Sequence, residues 1–203
     1  MRTVSMSLLE APERAGFYGF LATALSAPPT HDSVWGICQM AAAFGFSPPD
    51  GFSLKDLSRE YLELFVVLNP RFVAPYESVF RDCLNGNVGE RDGLAGATAD
   101  TVTAVSGSAL DIRQYHLEAG LASNEQMADH IGSELRFMAD LWWRQESASA
   151  SEARRLASIR ARFRNGHLLQ WIDRLSKKVA ENDRLGYYTT ALKVVEAVVE
   201  DDT

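Results

Sequence analysis

The chain carries one short cluster whose side-chain types and spacing could do chemistry, at Asp129, His130 and Glu134. His130 and Glu134 are four residues apart, so on a helix they share one face. Asp129 lies beside them near the predicted helix N-terminus, where carboxylates favour a cation and the imidazole can change charge near neutral pH. Four interpretations are open: a metal site, a general acid–base pair, a capping and packing role, or polar anchors at the edge of a peptide-binding groove.

The first two interpretations lack partners in the sequence. A metal site needs a third or fourth ligand, which His116 or His167 would have to supply, and the spacing matches no zinc signature. An acid–base pair needs a nucleophile or a pocket, and the sequence identifies neither. We therefore expect no metal, no cofactor and no catalytic residue. A metal-dependent helical hydrolase using His130 and Glu134 remains the alternative function.

Other reactive motifs are missing from the sequence. Cys38 and Cys83 are 45 residues apart with no C-x-x-C spacing, so both are predicted to be small buried hydrophobes. The glycines between residues 86 and 96 lack phosphate-loop spacing, and no Gly-x-Ser-x-Gly elbow or cysteine–histidine protease signature is present. The sequence gives no positive argument for an enzyme.

The charge distribution argues against nucleic acid as the partner. The 203 residues carry a net charge of −7, opposite to the basic footprint of a nucleic-acid binder. Residues 151–178 are the exception, with eight basic and two acidic side chains, and they could form a basic amphipathic helix or an ordinary solvated face.

No apolar run in the sequence reaches the roughly 20 residues that cross a bilayer. Residues 1–9 do not resemble a secretory signal. We expect a cytoplasmic protein without an integral membrane segment.

The elements that must position these residues are predicted to be helices. All seven prolines lie in the first 75 residues, so the following 128 can form long helices, and strand signals are weak. The prediction is an all-α fold of about eight to ten helices, in a single globular domain with two lobes. The helices are predicted at about 10–26, 31–44, 53–67, 75–84, 98–105, 108–119, 124–147, 150–164, 166–181 and 185–200.

Particular residues are predicted to shape these helices. Ser53 is a candidate N-cap, and Asn165-Gly166 and Gly186 are predicted breaks. The tandem Trp142 and Trp143 point about 100° apart on a helix, so one can enter the core while the other faces outward. In the first helix, Phe17, Phe20, Leu21 and Leu25 are predicted to face inward. Ser106-Gly107-Ser108 is the candidate boundary between an N-terminal lobe of about 1–106 and a C-terminal lobe of about 107–203.

Separated stretches of the sequence resemble the TorD/DmsD family. Residues 61–66 (YLELFV) and 75–80 (PYESVF) resemble its Y-x-x-L-F and P-Y-E-S-V-Y patterns. Residues 129–138 (DHIGSELRFM) are similar to its D-H-[ILF]-x-x-E-L-x-F-M. His167-Leu168-x-x-Trp171 is similar to its H-L-x-x-W. Residues 115–121 (YHLEAGL) resemble its Y-x-x-x-G-L lead-in, with one additional residue before the glycine. The order and spacing agree over about residues 10–200.

The resemblance implies a cytoplasmic chaperone for molybdopterin-containing oxidoreductases that are exported folded by the twin-arginine route. Its partners would be the twin-arginine signal peptide and the apo-enzyme, which it would hold until cofactor insertion is complete. Such a leader has a cationic region and an apolar region, so its receptor should combine an acidic rim with a hydrophobic groove. Carried over position by position, the implied peptide-binding residues are Leu64, Phe65 and Tyr76 as apolar walls, Glu77, Asp129 and Glu134 as partners of arginine, and His130 as a positioning residue.

The chain departs from the family pattern at the entrance to the Asp129-His130 motif. The family usually has Glu-Pro-x there, whereas this chain has Gln126-Met127-Ala128. No motif for guanine-nucleotide binding, proposed for some relatives, is present. The resemblance admits monomers and dimers that exchange lobes, with residues 106–108 as a candidate hinge.

Overall fold

Helices build the whole described part of the protein. The structure is a computed structural model that describes residues 5–48, 50–81, 107–122 and 127–202. In these ranges no strand forms beyond a single isolated bridge, so the all-α prediction is confirmed. The elements in chain order are a 3₁₀ turn Met6–Leu8, α1 Ala11–Ser26, α2 His31–Ala43, α3 Leu54–Phe65, α4 Glu77–Arg81, α5 Gly107–Glu118, α6 Ile131–Glu146, α7 Ala150–Phe163, a π-helical turn Arg164–Leu168, α8 Leu169–Asn182 and α9 Tyr187–Asp201.

The helix pair α1–α6 forms the most extensive contact in the fold. Both helices bury a stripe of apolar side chains, including Leu21 and Leu135, each with no solvent exposure. Burying one such side chain contributes about 1.5–3 kcal/mol. At the end of the pair the helices approach closely: a Cβ at Gly132 would collide with the Ser26 hydroxyl and lie 3.1 Å from the Ala22 carbonyl oxygen of α1. Glycine at this position therefore lets the first turn of α6 lie against α1.

The carboxyl end of α9 is tied to the same pair through Asp202. Its carboxylate accepts hydrogen bonds from Tyr18 Oη at 2.8 Å and Trp142 Nε1 at 3.1 Å, and it pairs with Arg14 at 3.1 Å. Asp202 is buried, so these donors replace water around the charge. The last helix is thereby fixed to α1 and α6.

Several local predictions agree with the structure. Ser53 caps α3 by accepting a hydrogen bond from the Asp56 amide at 3.2 Å. Gly186, which precedes α9, has φ 71°, a left-handed conformation that favours glycine. The tandem tryptophans divide as expected, because Trp142 is 5% exposed and Trp143 is 62% exposed.

Other predictions about elements are wrong. Helix α6 begins at Ile131 rather than at 124, because His130 is its N-cap and residues 127–129 form a turn. Asn165-Gly166 is not a break, since the π-helical turn carries the chain from α7 into α8. Cys38 is half-buried in α2 rather than in the core.

Four predictions lie partly or wholly outside the described residues: the end of the helix at 75–84, the helix at 98–105, the glycine loop at 86–96 and the burial of Cys83. Of the proposed boundary at 106–108, Gly107 and Ser108 form the start of α5. The division into two lobes stays a prediction. Within the described ranges, no helix has both the length and the apolar character needed to span a bilayer.

Candidate functional site

Two of the motifs singled out in the sequence meet at one point of the fold. Tyr76 and His130 form an isolated antiparallel bridge, in which the Glu77 amide donates to the Asp129 carbonyl at 2.9 Å and the Ile131 amide donates to the Pro75 carbonyl at 3.0 Å. The Tyr76 and His130 rings pack edge to face, with centroids 5.2 Å apart. The bridge therefore fixes the segment before α4 against the start of α6.

His130 is held as a neutral hydrogen-bond donor at this bridge. Its Nδ1 accepts a hydrogen bond from the Gly132 amide at 3.0 Å, which caps α6. Burial lowers the pKa of His130 to about 4, so the ring is neutral at physiological pH. Since Nδ1 is the acceptor, the ring proton is on Nε2. The half-buried imidazole thus offers one N–H donor.

Glu77 lies beneath the bridge and is fully buried. Its carboxylate forms an ion pair with Arg81 and contacts His167 Nδ1 at 2.8 Å. His167 Nε2 in turn lies 3.2 Å from a carboxylate oxygen of Asp111, whose side chain is 60% exposed. A chain of polar contacts therefore runs from Glu77 at the bridge to the surface of α5.

Asp129 and Glu134 are also fully buried. Asp129 Oδ2 accepts hydrogen bonds from the Ser78 hydroxyl at 2.5 Å and the Ser78 amide at 3.3 Å, and Glu134 Oε2 accepts one from Trp171 Nε1 at 3.2 Å. The second oxygen of each carboxylate has no hydrogen-bond partner in the described part of the chain. Burial raises the pKa of Asp129, and burial together with the Glu77 charge raises the pKa of Glu134 well above its usual value.

The three carboxylates predicted to receive arginine therefore lie under the surface rather than on an acidic rim. A guanidinium approaching Glu77 would have to displace Arg81 or His167. His130 and Glu134, expected to share a face, have different surroundings, because His130 is half-buried and Glu134 contacts the indole of Trp171. Among the described residues, the exposed carboxylate that contacts this cluster is Asp111. Sequence reasoning missed it because only the fold brings α5 beside His167.

The residues predicted to form the apolar walls of the peptide site lie in two different parts of the fold. Leu64 is fully buried, and its carbonyl accepts a hydrogen bond from the Val73 amide at 2.7 Å. Phe65 is half-buried and packs on Tyr61 and Tyr188, with ring centroids 5.5 Å and 5.3 Å away. Tyr76 belongs to the bridge instead.

An open groove between α1 and α2 was not anticipated. It has a volume of about 630 Å³, within the roughly 300–1,000 Å³ of typical ligand pockets. Phe17 and Phe20, predicted to face inward, are half-buried and form its wall, while Tyr18, Leu21 and Leu25 of the same helix are buried. The groove is lined by Glu13, Gly16, Phe17, Phe20, Asp32, Trp35, Gly36, Gln39 and Met40.

Comparison with known proteins identifies the family. The family model described as nitrate reductase delta subunit matches residues 36–177, more than half of the chain. The chain belongs to the nitrate reductase delta subunit family. This is the NarJ/TorD-type family of redox-enzyme maturation chaperones, so the resemblance found in the sequence is confirmed. No curated protein and no solved structure shows significant similarity to the chain.

Members of this chaperone family bind an oxidoreductase subunit and support molybdoenzyme maturation. The matched region contains the bridge, Glu77, Asp111, Asp129 and Glu134, and it begins inside α2. The groove wall that α1 supplies lies entirely before the matched region.

The hydrolase alternative receives no support in this family member. Among the described residues, no group of three or more histidine, cysteine, aspartate or glutamate side chains could hold a metal ion. The two histidines considered as further ligands have other surroundings. His116 stacks on Phe137 with centroids 4.2 Å apart, and His167 contacts Glu77 and Asp111.

Most of the basic side chains in segment 151–178 contact other groups of the same chain. Arg155 pairs with Glu152, and Arg162 with Glu118. The remaining contacts are of the same local kind: Arg160 over the Trp142 ring, Arg164 with the Val199 carbonyl, Arg174 with the Phe80 carbonyl, Lys177 with Asp173, and Lys178 with Glu181. These contacts favour the interpretation of a solvated helix face.

Proposed function

We propose that this chaperone binds the twin-arginine signal peptide of a molybdopterin-type oxidoreductase subunit in the cytoplasm. By holding the leader and the apo-enzyme, it assists cofactor insertion and delays export until the subunit has folded. The role is binding rather than catalysis. Family membership supports a maturation role, and the observation that carries the finer proposal is the Tyr76–His130 bridge, which joins the two motifs of the implied peptide site.

The proposed site surrounds this bridge. His130 donates its Nε2–H to a carbonyl of the peptide backbone, and the half-buried Phe65 supplies apolar contact. Tyr76 orients His130 through its ring contact. Glu77 and Asp129 act from below by fixing the bridge. Glu134 supports the first turn of α6 through Trp171, and Leu64 holds the segment that leads to the bridge through its hydrogen bond with the Val73 amide. Because these carboxylates are buried, we assign the direct contact with an arginine of the leader to the exposed Asp111.

Variants of His130 test this proposal. Asparagine is a good N-cap, and with Oδ1 in the place of Nδ1 its NH2 group occupies the place of Cδ2, one bond short of Nε2. His130→Asn therefore keeps the cap of α6 and withdraws the outward-facing donor. We expect calorimetric titration with a twin-arginine leader peptide to show about tenfold weaker binding, the loss of one hydrogen bond of about 1.4 kcal/mol. The free energy of unfolding should change by less than about 1 kcal/mol.

Ser149→Ala is the matched control. Ser149 caps α7 by accepting a hydrogen bond from the Glu152 amide at 3.3 Å, on a different helix from the bridge. The control should cost about 1 kcal/mol of stability and leave peptide affinity unchanged. Wild-type affinity in folded His130→Asn would contradict the assigned role of His130.

A further inference from the structure

We propose that the groove between α1 and α2 is a second docking site, which receives a short apolar helix of the client polypeptide flanked by basic side chains. The identity of the client rests on the proposed function. The location, the apolar character and the charge preference rest on the groove itself, which is formed by helices that carry none of the implied leader-binding residues.

The groove exposes an unusual amount of aromatic surface. Trp35 is 68% exposed, and Phe17, Phe20 and Met40 beside it are half-buried. Contiguous exposed apolar surface marks interaction sites in proteins. Tryptophan is also enriched among the residues that dominate binding energy, and methionine adapts to varied partners.

Glycines shape the groove. A Cβ at Gly36 would collide with the Phe20 ring, so glycine lets that ring lie across α2. On the opposite wall, a Cβ at Gly16 would meet nothing within 4 Å, which leaves the groove open on that side. The apolar surface is therefore concave and accessible.

Carboxylates mark both ends of the groove. Glu13 and Asp32 are its charged lining residues, and no ion pair of either occurs in the described part of the chain. Phe17 packs against Phe44 at the far end of α2, so the two helices run antiparallel. Glu13 and Asp32, each in the first turn of its helix, therefore lie at opposite ends.

This charge pattern selects the occupant. The carboxylates attract lysine or arginine side chains and disfavour an anionic lipid or fatty acid. A symmetric contact between two copies of the chain would bring the carboxylates of both copies to one interface, which like-charge repulsion opposes. The wall from Glu13 to Phe20 spans seven residues, or about 10 Å at 1.5 Å per residue. A helix of about three turns would cover it.

The test uses a synthetic helical peptide of about 12 residues, with leucines on one face and an arginine at each end. We compare the wild-type protein with Trp35→Ser and with the matched control Trp143→Ser, which removes a tryptophan of similar exposure from α6. Calorimetric titration should show at least about tenfold weaker binding for Trp35→Ser and less than about twofold change for Trp143→Ser.

A charge test accompanies it. Replacing both peptide arginines by glutamate should weaken binding to the wild-type protein by at least about tenfold. Glu13→Gln combined with Asp32→Asn should remove that discrimination, whereas the surface control Asp50→Asn with Glu146→Gln should keep it.

Several outcomes would overturn the inference. These are no binding of the arginine peptide, equal binding by the Trp35 and Trp143 variants, equal binding of the arginine and glutamate peptides, or a wild-type dimer that Trp35→Ser dissociates in sedimentation. A parallel titration with the twin-arginine leader separates the two proposals. If the leader fails to bind but the synthetic peptide discriminates as expected, the leader function fails and the groove stands.

Discussion

Glu134 should make the stability of the protein depend on pH in a calculable way. Its carboxyl is fully buried, with Glu77 and Asp129 nearby, and burial raises its pKa well above the usual value near 4.5. In the folded state the acid therefore keeps its proton at pH values where the unfolded chain has lost it. Stabilisation from the protonated acid is complete below the unfolded pKa and is lost as the pH rises through the folded pKa.

The magnitude follows from proton linkage. Between the two pKa values the folded state binds one more proton than the unfolded state, so the free energy of unfolding falls by about 1.4 kcal/mol per pH unit from this group alone. Glu134→Gln keeps an acceptor for Trp171 Nε1 and removes the ionisation. The wild-type stability minus the Gln variant's stability should be flat in acid and then fall at that slope.

Urea unfolding followed by far-UV circular dichroism at a series of pH values measures this difference. The exposed Glu146→Gln is the matched control and should give a difference that does not change with pH. A difference for Glu134→Gln that is equally independent of pH would refute the assignment of a buried, proton-holding carboxyl. The slope, not the absolute stability, is the decisive quantity, because titrating groups distant from Glu134 cancel in the subtraction.

Two further substitutions test the framework of the site. Asp129→Ala should lower the free energy of unfolding in urea by about 2–3 kcal/mol, because it removes the acceptor of two hydrogen bonds from Ser78. A loss below about 1 kcal/mol would contradict the burial of Asp129. Gly132→Ala should lower the free energy of unfolding by about 1–3 kcal/mol, because its Cβ collides with the Ser26 hydroxyl. The double variant with Ser26→Ala should recover part of that loss. If the losses of the two single variants simply add in the double variant, this contact is not the cause.

The sequence predicted best what is determined locally. Ser53 has the side chain of an N-cap before an apolar helical stripe, and Gly186 can adopt positive φ, so the starts of α3 and α9 could be inferred from single residues. The start of α6 could not, because residues 127–129 form a turn and Asp129 and Ile131 hydrogen-bond to Glu77 and Pro75, more than 50 residues away. Helical periodicity carries no information about that pairing.

The sequence identified which residues belong to the candidate site, but it did not show which of them are buried and which are exposed. The motifs identified Tyr76, Glu77, Asp129 and His130, and the bridge brings these together. Burial of the carboxylates depends on partners from other helices, such as Trp171 and His167, which no spacing in the sequence connects to them. The α1–α2 groove was missed for a related reason. Phe17 and Phe20 have the spacing of core residues, and only the packing of α2 leaves them open to solvent.

Calorimetric titration of the wild-type protein with a twin-arginine leader peptide, and with the same peptide carrying two lysines, tests the central claim most directly. Arginine presents a planar fork of donors that a carboxylate such as Asp111 can bind through two hydrogen bonds, whereas lysine presents a point charge. We expect a dissociation constant near or below about 1 μM for the arginine peptide, weakened by salt, and clearly weaker binding of the lysine peptide. Folded protein that binds neither peptide, or both equally, would contradict the claim that this chaperone recognises a twin-arginine leader.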